Sequence, residues 1–232
     1  MSVKKKLVVL TGAGVSAESG IRTFRDMGGL WEEYDVMEVA SYEGWLRNPE
    51  LVLNFYNDRR RQLKDVQPNQ AHIALAEAEK YFDVHIITQN VDNLHERAGS
   101  TKILHLHGEL TKVESTVDSS LIQEIGYADI KLGDKCSKGA QLRPHIVWFG
   151  EPVPAMSMAI QIARQAEIFA VVGSSLNVYP AAGLVDYAPR NIPVYLVDPN
   201  EVNVQSRRNV IFINEKASTG VVKMLEMLLK ST

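Results

Sequence analysis

The feature that most constrains the fold is a glycine-containing turn that directly follows a short apolar run near the start of the chain. The run 7–10 (Leu-Val-Val-Leu) leads through one threonine to Gly12 and Gly14. A short apolar run bounded by turn residues is typical of a buried parallel strand, and glycines allow a sharp turn and a close approach to a ligand. A helix beginning near Val15 or Ser16 would offer free N–H groups and a positive dipole end. The segment therefore predicts a strand-turn-helix unit that binds phosphate.

Composition narrows the class of protein. The chain has 232 residues, of which 45% are hydrophobic and 23% charged, which fits one globular unit or one large domain with a small insertion. A net charge of −3 gives no basic footprint, so nucleic acid is not an expected partner. The lysine-rich start runs into an apolar segment too short for a signal peptide or a membrane span, so we expect a cytoplasmic protein with no membrane partner. No sequence signal indicates an oligomeric state.

Strand-like apolar runs alternate with helical patterns along the chain. This alternation predicts an α/β fold, a Rossmann-like parallel sheet with helices on both faces. The predicted strands are 7–10, 84–88, 103–106, 168–172 and 194–197, and the clearest helical patterns are 71–80, 156–166 and 220–230. Polar or glycine residues follow the strands, namely Gly12, Gln89 with Asn90, His107 with Gly108, Gly173 to Ser175, and Asp198. Because ligands bind at the carboxyl ends of parallel strands, we expect these residues to converge on one crevice.

Two stretches do not follow this alternation. Residues 25–69 are helical and rich in aromatic side chains, and residues 109–143 are polar and weakly periodic. We expect both to form a smaller inserted lobe within a single unit spanning 1–232. The large Rossmann-like domain is then built from residues 1–24, 70–108 and 144–232.

An ordinary nicotinamide dehydrogenase is the first functional hypothesis, because residues 12–17 (Gly-Ala-Gly-Val-Ser-Ala) satisfy the G-x-G-x-x-G/A pattern. That fingerprint also requires a second strand that ends in an acidic residue about 20 positions further on. The corresponding window, 25–33, contains acids but no apolar run to carry them. The sequence therefore argues against a conventional dehydrogenase.

Six sequence blocks, in order, carry a resemblance that covers nearly the whole chain. The blocks are G-A-G-V-S at 12–16 continuing to S-G-I at 19–21, F-R at 24–25, T-Q-N-V-D-N-L-H at 88–95, H-G at 107–108, P-H-I-V-W-F-G-E at 144–151 and G-S-S-L-N-V-Y-P at 173–180. With these motifs the chain resembles the sirtuin family of NAD-dependent protein-lysine deacylases. The resemblance implies a sirtuin-like fold in which NAD, consumed as a co-substrate, meets an acyl-lysine protein or peptide between the large domain and the small lobe.

The catalytic histidine of the family matches His107. In sirtuin-like chemistry the acyl oxygen attacks the nicotinamide ribose carbon, nicotinamide leaves, and the histidine accepts a proton from a ribose hydroxyl, so that O-acyl-ADP-ribose forms. An imidazole with an ordinary pKa of about 6.5 is largely neutral, and therefore basic, near physiological pH. His105 lies two residues earlier and shares the face of His107 if the strand continues. A buried, hydrogen-bonded side chain is the favoured interpretation of His105.

The resemblance also assigns residues to the NAD site. Asn90 and Asp92, which join His107 in the catalytic set, would bind the carboxamide and orient the leaving ring, and Gln89 would contact ribose. Asn and Asp are also favoured helix caps, so one of the pair could fill both roles. The remaining cofactor positions are Gly12, Ala13, Gly14, Ser16, Phe24, Arg25, Gly173, Ser174, Ser175, Asp198 and Ala217.

The peptide substrate is expected to bind as an added strand between two extended segments, 149–151 and 176–179. The resemblance assigns substrate contacts to Val147, Phe149, Gly150, Glu151, Val178 and Tyr179. Strand addition relies on main-chain hydrogen bonds, so weak discrimination among target proteins is expected.

Tyr56 and Arg59 are three residues apart and share one face of a predicted helix. In class III sirtuins, the desuccinylase and demalonylase branch, a Tyr-x-x-Arg pair at the base of the acyl pocket recognises an acidic acyl end. Arginine offers a rigid fork to a carboxylate, and tyrosine adds a hydroxyl. The resemblance therefore implies a preference for succinyl and malonyl over acetyl groups. The alternative is a surface arginine run at 59–61 with Tyr56 merely packed.

The structural zinc site of the family is largely missing. Where the family has two cysteine pairs, this chain has Glu-Ser-Thr-Val-Asp at 114–118 and Cys-Ser-Lys-Gly at 136–139, so one of four ligands, Cys136, remains. One cysteine cannot form a tetrahedral thiolate site or an internal disulfide, and we expect no metal. Packing would then hold the lobe through a short amphipathic helix containing Leu121, Ile122, Ile125, Tyr127 and Ile130.

Two other functional classes stay open. Transfer of ADP-ribose to a protein would use the same NAD site with a different acceptor, and its products would distinguish it from deacylation. A noncatalytic NAD-binding interaction module is conceivable because the zinc ligands are missing. The joint presence of His107, Asn90 and Asp92 argues against such a module.

Overall fold

The computed structural model describes residues 4–21, 35–200 and 209–230. Its main feature is a six-stranded parallel sheet with the order β3-β2-β1-β7-β8-β9. The strands of this sheet are β1 (Lys6–Thr11), β2 (Asp83–Thr88), β3 (Ile103–His105), β7 (Ile168–Val172), β8 (Val194–Val197) and β9 (Val210–Ile213). The helices are α1 (Gly14–Ala17), α2 (Val36–Val39), α3 (Tyr42–Arg47), α4 (Pro49–Asp65), α5 (Gln70–Ala78), α6 (Leu94–Ala98), α7 (Met156–Arg164), α8 (Leu184–Tyr187) and α9 (Ala217–Lys230).

The side chains of the sheet alternate between two apolar layers. On β1, Leu7 and Val9 pack in one layer with residues of α5 and α9, whereas Val8 and Leu10 pack in the other with residues of α7 and α8. All four side chains are fully buried. Helices therefore cover both faces of the sheet, which explains why its strands appear in the sequence as continuous apolar runs. The predicted α/β fold is confirmed.

A second, antiparallel sheet has the order β5-β4-β6. Its strands are β4 (Gly108–Ser115), β5 (Ile122–Glu124) and β6 (Leu142–Ile146), none of which is predicted from the sequence. A third hydrophobic cluster combines residues of this sheet and of α2, α3 and α4, such as Trp45, Leu53 and Val113, with Trp148, which follows β6. The cluster gathers residues from both predicted insertions, while the boundaries of the large domain and the small lobe stay a prediction.

The short amphipathic helix predicted within residues 121–130 is wrong. Ile122–Glu124 forms β5, which pairs with β4, and Gly126 follows in the left-handed region with φ of +58°. Ile122 is exposed, whereas Ile130 is buried in the third cluster. Leu121, Ile125 and Tyr127 are partly buried and pack against this cluster. Their helix-like spacing reflects separate contacts with one cluster and not a helical face.

Side chains of helix α4 form hydrogen bonds with the backbone of the second predicted insertion, residues 109–143. The Asn57 amide donates through Nδ2 to the Ile130 carbonyl at 2.9 Å and accepts from the Ile130 N–H at 2.9 Å. Arg60 is fully buried, and its Nε donates to the Ala128 carbonyl at 3.0 Å. Burial lowers the pKa of Arg60 to about 10, so it still carries its charge at neutral pH. The alternative of a surface arginine run is therefore wrong for Arg60.

The two segments that correspond to the family's cysteine pairs contact each other directly. The Cys136 thiol donates to the Ser115 hydroxyl at 3.2 Å, and the Lys138 ammonium pairs with the Asp118 carboxylate at 2.7 Å. Within residues 4–21, 35–200 and 209–230, no group of three or more His, Cys, Asp or Glu side chains could hold a metal ion. No helix in the part of the chain that the structure describes is both long and apolar enough to cross a bilayer.

Candidate active site

The site lies where the strand order of the parallel sheet reverses direction, at the carboxyl ends of β1 and β7. Strand β1 pairs with β2 on one side and with β7 on the other, so a crevice opens between the turns that follow β1 and β7. The Gly12 N–H donates to the Val172 carbonyl at 3.1 Å, and the Gly14 N–H donates to the Gly173 carbonyl at 2.9 Å. The two turns are therefore joined by main-chain hydrogen bonds.

The glycines of these turns allow a contact between two backbones. A Cβ atom on Gly12 would lie 2.7 Å from the Gly173 carbonyl oxygen, and one on Gly173 would lie 2.3 Å from the Val15 nitrogen. Gly173 also has φ of +60°, which side chains disfavour. Helix α1, which follows the first turn, has four residues and begins at Gly14, one residue earlier than predicted.

Ser16 connects the two proposed nicotinamide contacts. Its hydroxyl donates to Asp92 Oδ2 at 2.9 Å and accepts from Asn90 Nδ2 at 3.1 Å. The other carboxylate oxygen of Asp92 accepts from the Leu94 N–H at 3.1 Å in the first turn of α6. Burial raises the pKa of the Asp92 carboxyl, and its hydrogen bonds with Leu94 and Ser16 oppose this shift. Asp92 thus supports the first turn of α6 and also faces Ser16.

Sequence reasoning missed His72, which supports Ser16 from helix α5. The Asn69 N–H donates to His72 Nδ1 at 3.3 Å, so the proton of the neutral ring lies on Nε2, which is 3.4 Å from the Ser16 hydroxyl. Burial lowers the pKa of His72 to about 4, so the ring is neutral at physiological pH. The available signal was the capping box, in which Asn69 precedes the helix and His72 lies three residues later.

His107 has one ring nitrogen fixed by the backbone. Its Nδ1 lies 3.0 Å from the Gln89 carbonyl oxygen. A carbonyl only accepts, so Nδ1 carries the proton and Nε2 has the free lone pair of the neutral ring. Burial lowers the pKa of His107, while the hydrogen bond with Gln89 opposes this shift. His107 is therefore arranged as a neutral base at Nε2.

His105 is hydrogen-bonded at both ring nitrogens, as its favoured interpretation predicts. Nδ1 lies 3.0 Å from the Asn90 carbonyl oxygen, and Nε2 lies 2.8 Å from Glu96 Oε1. Burial lowers the pKa of His105, but the Glu96 carboxylate outweighs it and the net shift is upward. Strand β3 ends at His105, so regular strand geometry does not extend to His107.

The other predicted cofactor residues are spread along the carboxyl edge of the sheet. Gln89 Nε2 donates to the Ser174 hydroxyl at 3.0 Å, which links the turns after β2 and β7. Asp198 follows β8 and accepts from the Asn200 N–H at 2.9 Å, and Ala217 is the buried first residue of α9. Ala13 is partly buried and Ser175 is exposed. Phe24 and Arg25 lie outside the described residues.

The predicted substrate residues do not form two continuously extended segments, and one of them, Val147, contacts His107. The Val147 N–H donates to the His107 carbonyl at 2.9 Å. Gly150 has φ of +89° and Leu176 has φ of +54°, so the expectation of two extended segments is wrong at these positions. Phe149 and Tyr179 are exposed, Glu151 is partly buried, and Val178 is partly buried beside Tyr179.

Tyr56 and Arg59 both lie on α4. Tyr56 is 5% exposed, and its hydroxyl oxygen accepts a hydrogen bond from Trp148 Nε1 at 3.0 Å. Arg59 is partly buried, with its guanidinium carbon 5.3 Å from the centre of the Phe55 ring. Burial raises the pKa of Tyr56 far above its ordinary value, so the hydroxyl keeps its proton.

Comparison with known proteins decides the family. The model of the Sir2 family matches residues 12–180. The chain belongs to the Sir2 family, the sirtuins. One relative of this sirtuin is a protein of Bacteroides thetaiotaomicron named NAD-dependent protein deacylase, which is 55% identical over 97% of this chain and 98% of its own. A solved Sir2 homologue in complex with NAD is 38% identical, with a TM-score of 0.88 over 98% of this chain and 91% of that one. A Sir2 complex with a p53 peptide and NAD is 29% identical, with a TM-score of 0.81 over 98% and 95%.

The site of this sirtuin fits NAD, the co-substrate of the family. The crevice opens at the strand-order switch point of the sheet, where dinucleotides bind in folds of this topology. The hydroxyl, amide and carboxylate groups of Ser16, Asn90 and Asp92 meet there, and the His107 ring contacts the carbonyl of Gln89, the residue before Asn90. These groups can bind an amide and a ribose diol and can also accept a proton.

Proposed function

We propose that this sirtuin removes acyl groups from protein lysine side chains with consumption of NAD, and that it prefers succinyl and malonyl to acetyl groups. The observation that carries the reaction is the tautomer of His107, whose Nδ1 donates to the Gln89 carbonyl at 3.0 Å. This bond leaves Nε2 as a base among residues that fit NAD. The relative in Bacteroides thetaiotaomicron, 55% identical, is named for the same NAD-dependent deacylation.

Each proposed step uses residues whose positions are fixed by hydrogen bonds. When bound, NAD supplies the ribose carbon that receives the acyl oxygen, with nicotinamide as the leaving group. Asn90 and Asp92 bind the carboxamide, and Ser16 orients both side chains through contacts of 3.1 and 2.9 Å. His107 Nε2 then accepts a proton from a ribose hydroxyl, and its lowered pKa keeps the ring neutral for this role.

The preference for acidic acyl groups rests on a chain of contacts from His107 to Tyr56. The His107 carbonyl accepts from the Val147 N–H at 2.9 Å, and Trp148, the next residue, donates to the Tyr56 hydroxyl at 3.0 Å. Arg59 lies one turn further along the same helix. The Arg59 guanidinium and the protonated Tyr56 hydroxyl can both donate hydrogen bonds. A carboxylate at the end of an acyl chain can accept both of them.

A competition assay on one peptide tests the acidic-acyl preference. We expect a higher kcat/KM for the succinyl- or malonyl-lysine peptide than for the acetyl-lysine peptide. Arg59→Met should lower the succinyl-to-acetyl ratio of kcat/KM at least about tenfold, because a charge-assisted hydrogen bond is lost. Arg61→Met is the matched control, since Arg61 lies on the same helix but is exposed and pairs with Asp58 and Asp129. Equal losses on all acyl groups in Arg59→Met would contradict the preference.

We also propose that the small lobe functions without structural zinc and that the protein acts in the cytoplasm. The contacts between Cys136 and Ser115 at 3.2 Å and between Lys138 and Asp118 at 2.7 Å support the first proposal, because polar side chains there already pair with each other. Elemental analysis of the purified protein should find zinc well below one equivalent per chain. Stoichiometric zinc would overturn this proposal and leave the deacylase proposal untouched.

A further inference from the structure

Trp148 connects the substrate segment to the proposed acyl-recognition helix and is buried between two polar partners. The residue is 2% exposed, and the guanidinium carbon of Arg143 lies 3.5 Å from the ring centre. Its Nε1 donates to the Tyr56 hydroxyl oxygen at 3.0 Å, across 92 positions of sequence. Neither Arg143 nor Trp148 is among the site residues that the sequence predicts.

Arg143 and Glu151 contact each other, and both contact Trp148. Together they hold the Trp148 ring in position. Arg143 donates to both carboxylate oxygens of Glu151, at 2.7 and 3.0 Å, and to the Ile146 carbonyl at 2.9 Å. Glu151 Oε2 also accepts from the backbone N–H of Trp148 at 2.8 Å. Backbone and ring of Trp148 are therefore held by the same Arg143–Glu151 pair, which leaves the indole N–H little freedom in direction.

The direction of this hydrogen bond determines what the Tyr56 hydroxyl can do. An indole N–H only donates, so the Tyr56 oxygen is the acceptor in this contact. The hydroxyl proton is then directed elsewhere and can be donated to another group. Donation from Trp148 also makes the Tyr56 O–H a stronger donor, since hydrogen bonds in a chain polarise one another. A carboxylate that meets Tyr56 would find a pre-oriented donor.

We propose that Trp148 is a specificity-determining positioning residue, which fixes the Tyr56 hydroxyl as a donor to the acidic end of the acyl group. The proposal rests on the acidic-acyl preference stated above and extends it to a residue that need not touch the acyl group. Arg143 has a supporting role, because it holds the indole ring and the Glu151 side chain together.

The direct test is Trp148→Phe, which keeps an aromatic ring for Arg143 but removes the N–H donor. The succinyl-to-acetyl ratio of kcat/KM should fall about five- to tenfold, chiefly through a higher KM for the succinyl peptide. In a Tyr56→Phe background the same substitution should leave the ratio unchanged, because the acceptor is already gone. Trp45→Phe is the matched control, since its ring packs 5.6 Å from Trp148 in the same cluster.

Several results would overturn the role of Trp148. These are an unchanged ratio in Trp148→Phe, equal losses on acetyl and succinyl peptides, additive effects with Tyr56→Phe, or the same fall in Trp45→Phe. If Arg59→Met lowers the ratio while Trp148→Phe does not, this inference fails and the proposed function stands. If the unaltered protein shows no acidic-acyl preference, both fail.

A second measurement needs no folded Trp148 variant. In the unaltered protein, the indole N–H resonance of Trp148 should shift when the succinyl-lysine peptide binds and much less when the acetyl-lysine peptide binds. The chain has three tryptophans, so Trp31→Phe and Trp45→Phe assign the signal by elimination. Equal shifts with both peptides would contradict the proposed role.

Discussion

The Gly14 N–H donates to the Gly173 carbonyl at 2.9 Å, and this bond joins two turns that are far apart in sequence. The contact links the first strand of the parallel sheet to the strand on the other side of the switch point. The two backbones lie so close together at this contact that the glycine turn after β1 and the turn after β7 both require glycine. Side chains at either position would separate the walls of the proposed NAD crevice.

Gly173→Ala should destabilise the protein and weaken NAD binding. The new Cβ would lie 2.3 Å from the Val15 nitrogen, so the two turns must separate. Gly126→Ala is the control, because Gly126 has φ of +58°, close to the +60° of Gly173, but nothing lies within 4 Å of its Cβ position. We expect Gly173→Ala to cost about 1–3 kcal/mol more than Gly126→Ala in chemical denaturation. Equal losses would show that backbone conformation alone is responsible.

His107→Ala should abolish deacylation while the protein remains folded, because the variant lacks the base. A lost general base costs about 100- to 10,000-fold in rate. The thermal transition of the variant reports its folding, and formation of the deacylated peptide and O-acyl-ADP-ribose from an acylated peptide and NAD reports the step that needs the base. Unchanged turnover in a folded His107→Ala protein would refute the base assignment.

The pH profile of kcat/KM should reflect the lowered pKa of His107. Protonation of Nε2 removes the base, so activity falls as pH falls through the pKa of the folded protein. Burial lowers that pKa, so the acidic limb should lie below the ordinary histidine value of about 6.5. A profile that already declines above pH 7 on its acidic side would contradict this arrangement of His107.

Burial of neutral His72 should make stability depend on pH. In the unfolded chain the ring takes up a proton below about pH 6.5, whereas in the folded protein its pKa is lowered to about 4. Between these values the unfolded state binds more protons, so stability decreases as pH falls, by up to about 1.4 kcal/mol per pH unit. Denaturant titrations at pH values from 7 to 4 give the free energy of unfolding at each pH. This free energy should fall less steeply with decreasing pH in His72→Gln than in the unaltered protein. An identical slope would contradict a neutral, buried His72.

Asn57→Ala should weaken the attachment of the second insertion to α4. It removes two hydrogen bonds with the Ile130 backbone, both 2.9 Å long, and leaves buried groups without these partners. We expect a loss of about 2–4 kcal/mol and faster amide exchange at residues 128–130. Asp58→Ala is the control, since Asp58 is the next residue and is exposed. Similar effects of both substitutions would argue against this role of Asn57.

The sequence predicted those parts of the fold that depend on local pattern. Strands β1, β2, β7 and β8 lie within a residue of their predicted ends, because buried parallel strands are continuous apolar runs. β9 has a similar apolar run, Val210–Ile213, and was missed. β4 and β6 were missed for a different reason, since their antiparallel pairing depends on partners distant in sequence.

The residues proposed for the candidate site come from sequence motifs, whereas the long-range contacts between their side chains were not predicted. The family motifs contain His107, Asn90 and Asp92. No motif joined Ser16 to His72, which lie 56 positions apart, or defined which nitrogen of His107 is the base. Such features follow from side-chain geometry after folding, so a pattern of residue types cannot specify them.

The most direct test of the proposed reaction is the fate of NAD in the presence of one peptide carrying an acyl-lysine. We predict nicotinamide release that depends on the acyl group, together with free lysine and O-acyl-ADP-ribose, and faster release with succinyl- or malonyl-lysine than with acetyl-lysine. ADP-ribose attached to the peptide or to another protein, without loss of the acyl group, would indicate a transferase. No nicotinamide release with any of the acylated peptides would contradict the proposed enzyme activity.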